Sequence, residues 1–433
     1  MSQNLNTQKI KNQNQDKSNL EISTKDQFTK IYGNQPWPIP TQEDWYWSNL
    51  ISPNDTQSIW RNCLLNPFLN FLGLNSKLIS FDPTFGRFSL PYSPHENLIR
   101  NDPSISTWDH RIFLEKDSNL IDRQVNHQTN HWIYYQVWWD QSASKKLDVN
   151  LDLVYYHGLG EYGGNFAKHA KIFLDAGYRL IVPDHPSHGR STGLHTYLPN
   201  LDSIAHATHA VLIDLINKDK AFNRQQRQVV IAGQSLGGFA SIFYPLLYHT
   251  PTIKKVNLLD GLPIPKLIGI LPMCPMLAIS QDSRPSFIIE TIARCIVIFA
   301  GRVPLADANK GKNTQDPWCE EQYRRDPQTY HGTLRCATGL AILDALDFTD
   351  QNISKLEIPF QVMHGQSDRV TSVLGSQKLF DTAKSKNKSI KLYPKVEHVM
   401  LRIGRDEEDD KARQLILNDM LQWLEKLQNK HYN

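Results

Sequence analysis

Strand-like and helix-like segments alternate along this chain from about residue 130 to its end. The strand-like runs are rich in aromatic and β-branched residues, and the stretches between them have the length of helical crossovers. Parallel strands need such crossovers. The pattern predicts an α/β fold with a mostly parallel central sheet and helices on both faces. The predicted strands are 132–139, 149–156, 178–183, 228–233, 358–365 and 389–394.

Local signals mark several of the intervening helices. The segment NFAKHAKIFLDAG ends on Gly177, which suits the position just after a helix. NLDSIAHATHAVLIDLIN offers Asn200 or Asp202 as an N-cap, followed by an apolar face. A last helix is predicted at about 408–428. Between about 274 and 350 the alternation breaks into apolar stretches and a polar, Pro-containing passage, which predicts an inserted helical cap.

The N-terminal region differs from the rest in composition. Residues 1–30 are rich in Asn, Gln, Lys and Ser and poor in large apolar groups, so we predict a disordered tail. Residues 31–105 are rich in Trp and Pro, and eight of the ten tryptophans lie between Trp37 and Trp139. This composition predicts an extension that packs on the core formed by residues 106–433. The sequence assigns the extension no chemistry.

Charge and composition exclude some partners. A formal charge of +3 arises from 47 basic and 44 acidic residues, so no basic surface for nucleic acid stands out. No run reaches the ~18 apolar residues of a membrane-spanning helix. The nearest, 286–301, is interrupted by Glu290 and Arg294, and we expect it to touch a membrane surface rather than cross one.

The cysteines and the N-terminus indicate the compartment. The cysteines are odd in number and form neither a C-x-x-C pair nor a metal-binding spacing, which favours reduced thiols. The first residues lack the apolar core of a secretory signal. We therefore expect a cytoplasmic protein. The cysteines are Cys63, Cys274, Cys295, Cys319 and Cys336.

A G-x-S-x-G motif, residues 233–237, lies between a predicted strand and a predicted helix. A tight turn there would expose the hydroxyl of Ser235, and small flanking residues let strand and helix approach closely. The pattern alone is weak, because glycine and serine are common in ordinary turns. A serine nucleophile also needs a base, and the base needs an acid that orients it.

Two downstream residues meet that need. Asp368 ends FQVMHGQSD and His398 ends SIKLYPKVEH, each just after a predicted strand. The order Ser235, Asp368, His398 is that of an α/β-hydrolase triad. The alternative is that Asp368 caps a turn and His398 is an ordinary surface or core histidine. Three such residues at the carboxyl ends of parallel strands favour the triad.

Acyl transfer also needs donors for an oxyanion. The backbone N–H of Leu236, directly after the serine, is one candidate. The turn HGLG after the strand at 149–156 offers the N–H of Leu159 as the second. The alternative is a tight turn that binds nothing.

Several motifs together resemble the monoacylglycerol lipase branch of the α/β-hydrolases and the related fungal lysophospholipase-like proteins. They are HGLGEYGG, DHPSHGRSTG, GQSLGG, YRRDP, HGQSD and VEH, within about residues 130–428. The resemblance implies an α/β-hydrolase fold, with Ser235, Asp368 and His398 as the triad. It also implies an oxyanion hole formed by Leu159 and Leu236. No metal or organic cofactor is implied.

The resemblance extends to the substrate, with departures. It implies that Glu161 and Tyr323 contact the substrate, and that a lid at about 274–350 covers an acyl tunnel and docks on membranes or lipid droplets. Relatives carry an Arg four positions after the Glu and a His three after the catalytic His. Here Asn165 and Leu401 stand at those positions. These changes leave the chemistry intact and open the question of the headgroup.

The leading hypothesis is a serine ester hydrolase that cleaves a lipid monoester, a monoacylglycerol or a lysophospholipid-like compound, through an acyl-enzyme on Ser235. A small-ester esterase or an aminopeptidase-like enzyme is the first alternative. A non-catalytic α/β-hydrolase that serves as a scaffold is the second, although such proteins usually lose a triad member.

Overall fold

The structure, a computed structural model, describes residues 83–114, 131–250, 252–253, 263–278, 286–306 and 312–432. The tail predicted over 1–30 and most of the extension predicted over 31–105 lie outside these ranges.

An eight-stranded sheet forms the centre of the domain. Its strands are β1 (Ser106–Phe113), β2 (Trp132–Trp139), β3 (Leu151–Tyr156), β4 (Arg179–Pro183), β5 (Gln228–Gln234), β6 (Lys266–Met273), β9 (Phe360–Gly365) and β10 (Lys388–Tyr393). Their order in the sheet is β1-β2-β4-β3-β5-β6-β9-β10. β2 is antiparallel to β1 and to β4, and the other neighbours are parallel. The predicted mostly parallel sheet is therefore confirmed.

Ten helices surround the sheet within the described residues. They are α1 (Pro94–Asn101), α2 (Gln141–Lys146), α3 (Ala167–Asp175), α4 (Asp202–Ala221), α5 (Leu236–Tyr248), α6 (Phe287–Ala300), α7 (Pro317–Arg325), α8 (Cys336–Asn352), α9 (Val373–Thr382) and α10 (Glu407–Tyr432). Gly177 follows α3 with a φ of 84°, as its position after the helix predicts. At the start of α4 the side chain of Asn200, rather than that of Asp202, accepts the hydrogen bond, from the Asp202 N–H at 2.7 Å.

Two apolar cores cover the two faces of the sheet. Along β3, Leu153 and Tyr155 pack on one face with α3 and α10, and Val154 and Tyr156 on the other with α4 and α5. Adjacent strand residues point to opposite faces, so a strand buried on both sides reads as a continuous apolar run. This explains why the sequence pattern located β3 so clearly.

The segment predicted as a helical cap lies between β6 and β9. It contains α6, α7, α8 and a two-stranded antiparallel sheet of β7 (Pro304–Ala306) and β8 (Leu334–Arg335). On α6, Ile289 and Ile292 are 58% and 53% exposed, and Ile296 is also exposed. Among the described residues, none of the helices combines the length and the apolar character of a membrane-spanning helix.

Residues 83–101, here called the N-terminal strap, lie against the loop that follows β4. The buried guanidinium of Arg87 donates to the carbonyl oxygens of Gly189, Ser191 and Gly193 at 2.8–2.9 Å. The Gly193 N–H donates back to the carbonyl of Pro83 at 2.8 Å. The strap therefore forms part of the packed domain.

Candidate active site

Ser235 occupies a sharp turn between β5 and α5. Its φ of 56° is unusual for a residue with a side chain, and such backbone costs of order 1–3 kcal/mol unless its surroundings impose it. Here the Ser235 N–H donates to the Met273 carbonyl at 3.0 Å, and the Ser235 carbonyl accepts from Met276 at 3.1 Å. The Ser235 side chain stays partly exposed.

The glycines beside Ser235 are required by close backbone approach. A Cβ on Gly237 would collide with the carbonyl oxygen of Tyr156 at the end of β3. A Cβ on Gly238 would lie 2.7 Å from the carbonyl oxygen of Met273. The small residues of the motif thus let α5 begin directly over the sheet edge.

Asp368 and His398 lie in direct contact, in the loops after β9 and β10. His398 Nδ1 is 2.7 Å from Asp368 Oδ2, and both side chains are buried. The carboxylate also accepts backbone N–H groups from Val370 and Thr371 at 2.7 and 2.9 Å, and the Thr371 hydroxyl at 2.9 Å. The contact assigns the Nδ1 proton to the Asp368 side of the imidazole.

The protonation state of Asp368 follows from these partners. Burial alone would raise the pKa of its carboxyl, but hydrogen bonds from His364 and His398 outweigh burial and hold that pKa well below its usual range. Asp368 is therefore an anion at neutral pH. A buried anion hydrogen-bonded to an imidazole is the arrangement that orients a general base.

Cys274, just after β6, connects Ser235 with the Asp368–His398 pair. Its thiol contacts the His398 carbonyl at 3.4 Å, and its carbonyl oxygen lies 3.1 Å from the Thr371 hydroxyl oxygen. The residue before it, Met273, accepts the Ser235 N–H. The structure thus brings the three predicted triad residues to the same edge of the sheet.

A metal site at this edge is the other chemistry to consider. Ligand-type atoms of Cys274, Asp368 and His398 lie within 4.8 Å of one another, the one such group within the described ranges. Burial raises the pKa of the Cys274 thiol well above its usual value, which favours the protonated thiol over a metal-binding thiolate. Asp368 and His398 are already hydrogen-bonded to each other. The geometry therefore fits acid–base chemistry better than metal binding.

Two segments near Ser235 carry the predicted oxyanion donors. Leu236 is the first residue of α5, where a helix leaves its N–H without an intrahelical acceptor and favours negative charge. Leu159 lies in the turn after β3, and a Cβ on Gly158 of that turn would be 3.6 Å from Ser235 Cβ. The Gly158 N–H donates to Glu161 Oε2 at 2.8 Å, which closes the turn.

Glu161 and Tyr323, the predicted substrate contacts, both hold this turn. Burial raises the pKa of the Glu161 carboxyl. The Tyr323 hydroxyl, on cap helix α7, donates to the Tyr330 carbonyl at 3.1 Å, and the Tyr330 N–H donates to the Gly160 carbonyl at 2.7 Å. The cap thereby contacts the turn directly. Substrate contact by these two residues stays a prediction.

Sequence reasoning missed other residues at this edge. Thr371 and Cys274 carry no motif of their own. His364 lies within the HGQSD motif, four residues before Asp368, and inside the predicted strand 358–365, so the pattern assigns it to the sheet alone. In the structure its Nε2 is 3.3 Å from Asp368 Oδ2. The signal that could have identified it is the short separation of four residues between a histidine at the end of a strand and an aspartate in the turn that follows.

The family comparison covers most of the α/β domain. The sequence profile of the Hydrolase_4 family, described as "Serine aminopeptidase, S33", matches residues 149–402. That segment contains every residue of the candidate active site.

Curated relatives match a similar part of the chain. A monoacylglycerol lipase from Mycolicibacterium smegmatis is 24% identical, over 67% of this chain and 92% of its own length. A caffeoylshikimate esterase from Arabidopsis thaliana is 24% identical, over 64% and 77% respectively. A human monoglyceride lipase is 21% identical, over 56% and 74%.

Solved structures share the fold. The monoacylglycerol lipase of Paleococcus ferrophilus superposes with a TM-score of 0.52 at 21% identity, covering 64% of this chain and 94% of the other. A soluble variant of the Saccharomyces cerevisiae monoglyceride lipase also gives 0.52, at 20% identity, covering 74% and 96%. Together with the sheet order, these matches identify the α/β-hydrolase fold.

Proposed function

The chain belongs to the Hydrolase_4 family of serine hydrolases, and from that premise we propose that it cleaves a lipid monoester through an acyl-enzyme on Ser235. The observation that carries the proposal is the 2.7 Å contact between His398 Nδ1 and Asp368 Oδ2, at the sheet edge where Ser235 is partly exposed. Relatives named monoacylglycerol or monoglyceride lipase support the lipid ester as substrate.

The proposed mechanism has two halves. His398 takes the hydroxyl proton of Ser235 as the serine oxygen attacks the ester carbonyl, and Asp368 stabilises the imidazolium. The N–H groups of Leu159 and Leu236 stabilise the oxyanion. His398 then gives its proton to the leaving alcohol, and the acyl group stays on Ser235. Water, activated by His398, attacks the acyl-enzyme and releases the acid.

The cap supports a lipid substrate. Helix α6 presents Ile289, Ile292 and Ile296 to solvent, and an exposed apolar helix face is typical of a surface that contacts lipid. We propose that this face touches a membrane or lipid-droplet surface while the substrate enters. Arg294, paired with Glu290 and Asp344, lies on the same helix.

A second candidate is an esterase for a non-lipid ester. One relative is named a caffeoylshikimate esterase, and the family description names an aminopeptidase. In this chain Asn165 and the buried Leu401 stand where the resemblance implies polar headgroup contacts. Both the names of these relatives and the two replaced residues are consistent with a substrate headgroup other than glycerol.

A substrate panel separates these candidates. Monoacylglycerols, lysophospholipids, p-nitrophenyl esters from acetate to palmitate and an aminoacyl anilide are compared by kcat/KM. We expect long acyl esters to be preferred, and a preference for acetate or for the anilide would contradict the lipid proposal. A fluorophosphonate probe tests the nucleophile. It should label wild type and the control Ser203→Ala, but not Ser235→Ala.

A further inference from the structure

A second imidazole, that of His364, lies on the other side of the Asp368 carboxylate. His364 is on β9 and fully buried. Its Nε2 is 3.3 Å from Asp368 Oδ2, the oxygen that also receives His398 Nδ1. One carboxylate oxygen therefore lies between two imidazoles.

The surroundings of His364 fix its tautomer. Its Nδ1 is 2.7 Å from the Ser376 hydroxyl on α9, which can donate to it. Its Nε2 faces two acceptors, Asp368 Oδ2 and the Thr371 carbonyl at 3.3 Å. Only a ring that carries its proton on Nε2 satisfies all three contacts. His364 is then a hydrogen-bond donor to Asp368.

We propose that His364 is a positioning residue that holds the Asp368 carboxylate in the orientation from which it orients His398. The inference rests on the proposed triad. His364 touches neither substrate nor reacting atoms in this account, and it acts through Asp368.

The distribution of donors on the carboxylate supports this role. Among the described residues, the donors to Oδ1 are the backbone N–H groups of Val370 and Thr371, which belong to the same loop as Asp368. Oδ2 accepts side chains from His398, Thr371 and His364. Among these, His364 alone is anchored within the central sheet. It therefore ties the orientation of a loop carboxylate to a buried strand of the central sheet.

Two substitutions of similar size separate the hydrogen bond from the volume. His364→Gln keeps an N–H near the position of Nε2, and His364→Met has none, while both lose the Ser376 contact. Loss of a hydrogen bond to a charged group changes a rate or equilibrium constant by about tenfold to hundredfold. We expect His364→Met to lower kcat by that amount with KM unchanged, and His364→Gln to stay within about threefold of wild type.

The pH profile gives a readout that a purely structural role would not move. The titratable groups facing His364 are Asp368 and, beyond it, His398 and Cys274. Without the hydrogen bond from His364, the negative charge of Asp368 is less compensated and stabilises the His398 imidazolium more strongly. The acid limb of kcat/KM in His364→Met should therefore move up by about half to one pH unit. An unchanged profile with unchanged kcat would overturn the inference.

A double-mutant cycle distinguishes failure of this inference from failure of the triad. Asp368→Asn should abolish most activity, and adding His364→Met to it should reduce kcat by less than about twofold more. Full activity in Asp368→Asn would contradict the proposed function itself. An additive loss in the double variant would make His364 merely structural.

A measurement on the wild-type protein keeps the inference testable even if His364→Met does not fold. Nitrogen-15 shifts of labelled histidine, assigned with His364→Gln, report the tautomer of each neutral ring. We expect His364 to carry its proton on Nε2. A proton on Nδ1 would remove the hydrogen bond to Asp368 and overturn the proposal.

Discussion

Glu96, in the N-terminal strap, lies 3.6 Å from Arg190, in the loop that follows β4, and both side chains are buried. The Glu96 carboxylate also accepts from the Gln136 amide on β2 at 2.6 Å and from the Ser93 N–H at 2.7 Å. Arg190 donates to the carbonyl oxygens of Leu90 and Pro91 at 3.0 and 3.1 Å. A buried charge pair with this many partners links the strap to the loop that follows β4.

Removing the charge of Glu96 tests this link. Glu96→Gln keeps the shape but leaves the buried Arg190 guanidinium without its carboxylate, which costs about 3–5 kcal/mol of unfolding free energy. Urea unfolding followed by circular dichroism measures the loss. The matched control is Asp175→Asn, the same change in an exposed pair with Lys171, where we expect less than about 1 kcal/mol. Equal effects in the two variants would contradict the structural role of the strap.

Gly237→Ala tests the packing beneath Ser235. The added methyl group would meet the Tyr156 carbonyl and push α5 away from β3. We expect a loss of about 1–3 kcal/mol of stability and a more than tenfold drop in kcat, because the nucleophile shifts.

A second glycine gives the control for that change. Gly339 lies within α8, where an added Cβ would make only ordinary contact with Leu334 at 3.4 Å. Gly339→Ala should be neutral or stabilise by about 0.5–1 kcal/mol, with unchanged kcat. Similar losses of kcat in both variants would contradict the account of the turn.

A cluster of buried histidines predicts sensitivity to mild acid. The ring centroid of His157 lies 4.5 Å from that of His185 and 5.3 Å from that of His188, and His195 is 6.0 Å from His188. Burial lowers the pKa of His157 to about 4 and the pKa values of the other three well below the usual range. Arg87 and Arg335 lower the pKa of His195 further.

The direction in which stability changes with pH follows from which state binds more protons. Between about pH 4 and 6.5 the unfolded chain binds protons that these histidines do not bind in the folded protein, so stability is full above pH 6.5 and falls as the pH drops. Asp184 has the opposite effect on stability. Burial raises its pKa to about 6, so below that pH the folded protein binds a proton that the unfolded chain does not. We expect urea unfolding to show a net uptake of about one to three protons on unfolding between pH 7 and 5. A flat stability over that range would contradict the prediction.

The exposed face of α6 predicts binding to lipid surfaces. Replacing Ile289 and Ile292 by Ser removes two side chains that would enter the lipid boundary, each worth about 1.5–3 kcal/mol when fully buried. We expect at least tenfold weaker flotation with phosphatidylcholine vesicles and unchanged hydrolysis of a soluble short-chain ester. The control Phe222→Ser removes an equally exposed apolar group from the end of α4. It should bind vesicles like wild type.

Sequence patterns located the buried parallel strands because both of their faces are apolar. They missed β1 and β6 for different reasons. β1, STWDHRIF, is an edge strand with only one packed face, so its residues are mostly polar. β6 contains Gly269 and Pro272, which usually interrupt strands. Gly269 is needed because a Cβ would lie 2.6–2.7 Å from Leu427 and Trp423 on α10.

At the candidate site, sequence reasoning identified residues with a motif or a fixed place in the chain order. Asp368 and His398 were predicted as partners and lie 2.7 Å apart. Thr371 and Cys274 could not be identified from the sequence. Their contacts with Asp368 and His398 arise only because the fold brings the ends of separate strands together. The catalytic roles of Ser235, Leu159 and Leu236 stay predictions, as do the boundaries of the N-terminal region.

The strap also bears on where this protein can be cut. The recognisable family segment begins at residue 149, after β1, β2 and the strap. A fragment starting there would leave β4 as an open edge and would lack Glu96, Leu90 and Pro91, the partners of the Arg190 guanidinium. The segment that identifies the family is therefore shorter than the segment whose contacts build the described domain, because those contacts reach back to Pro83.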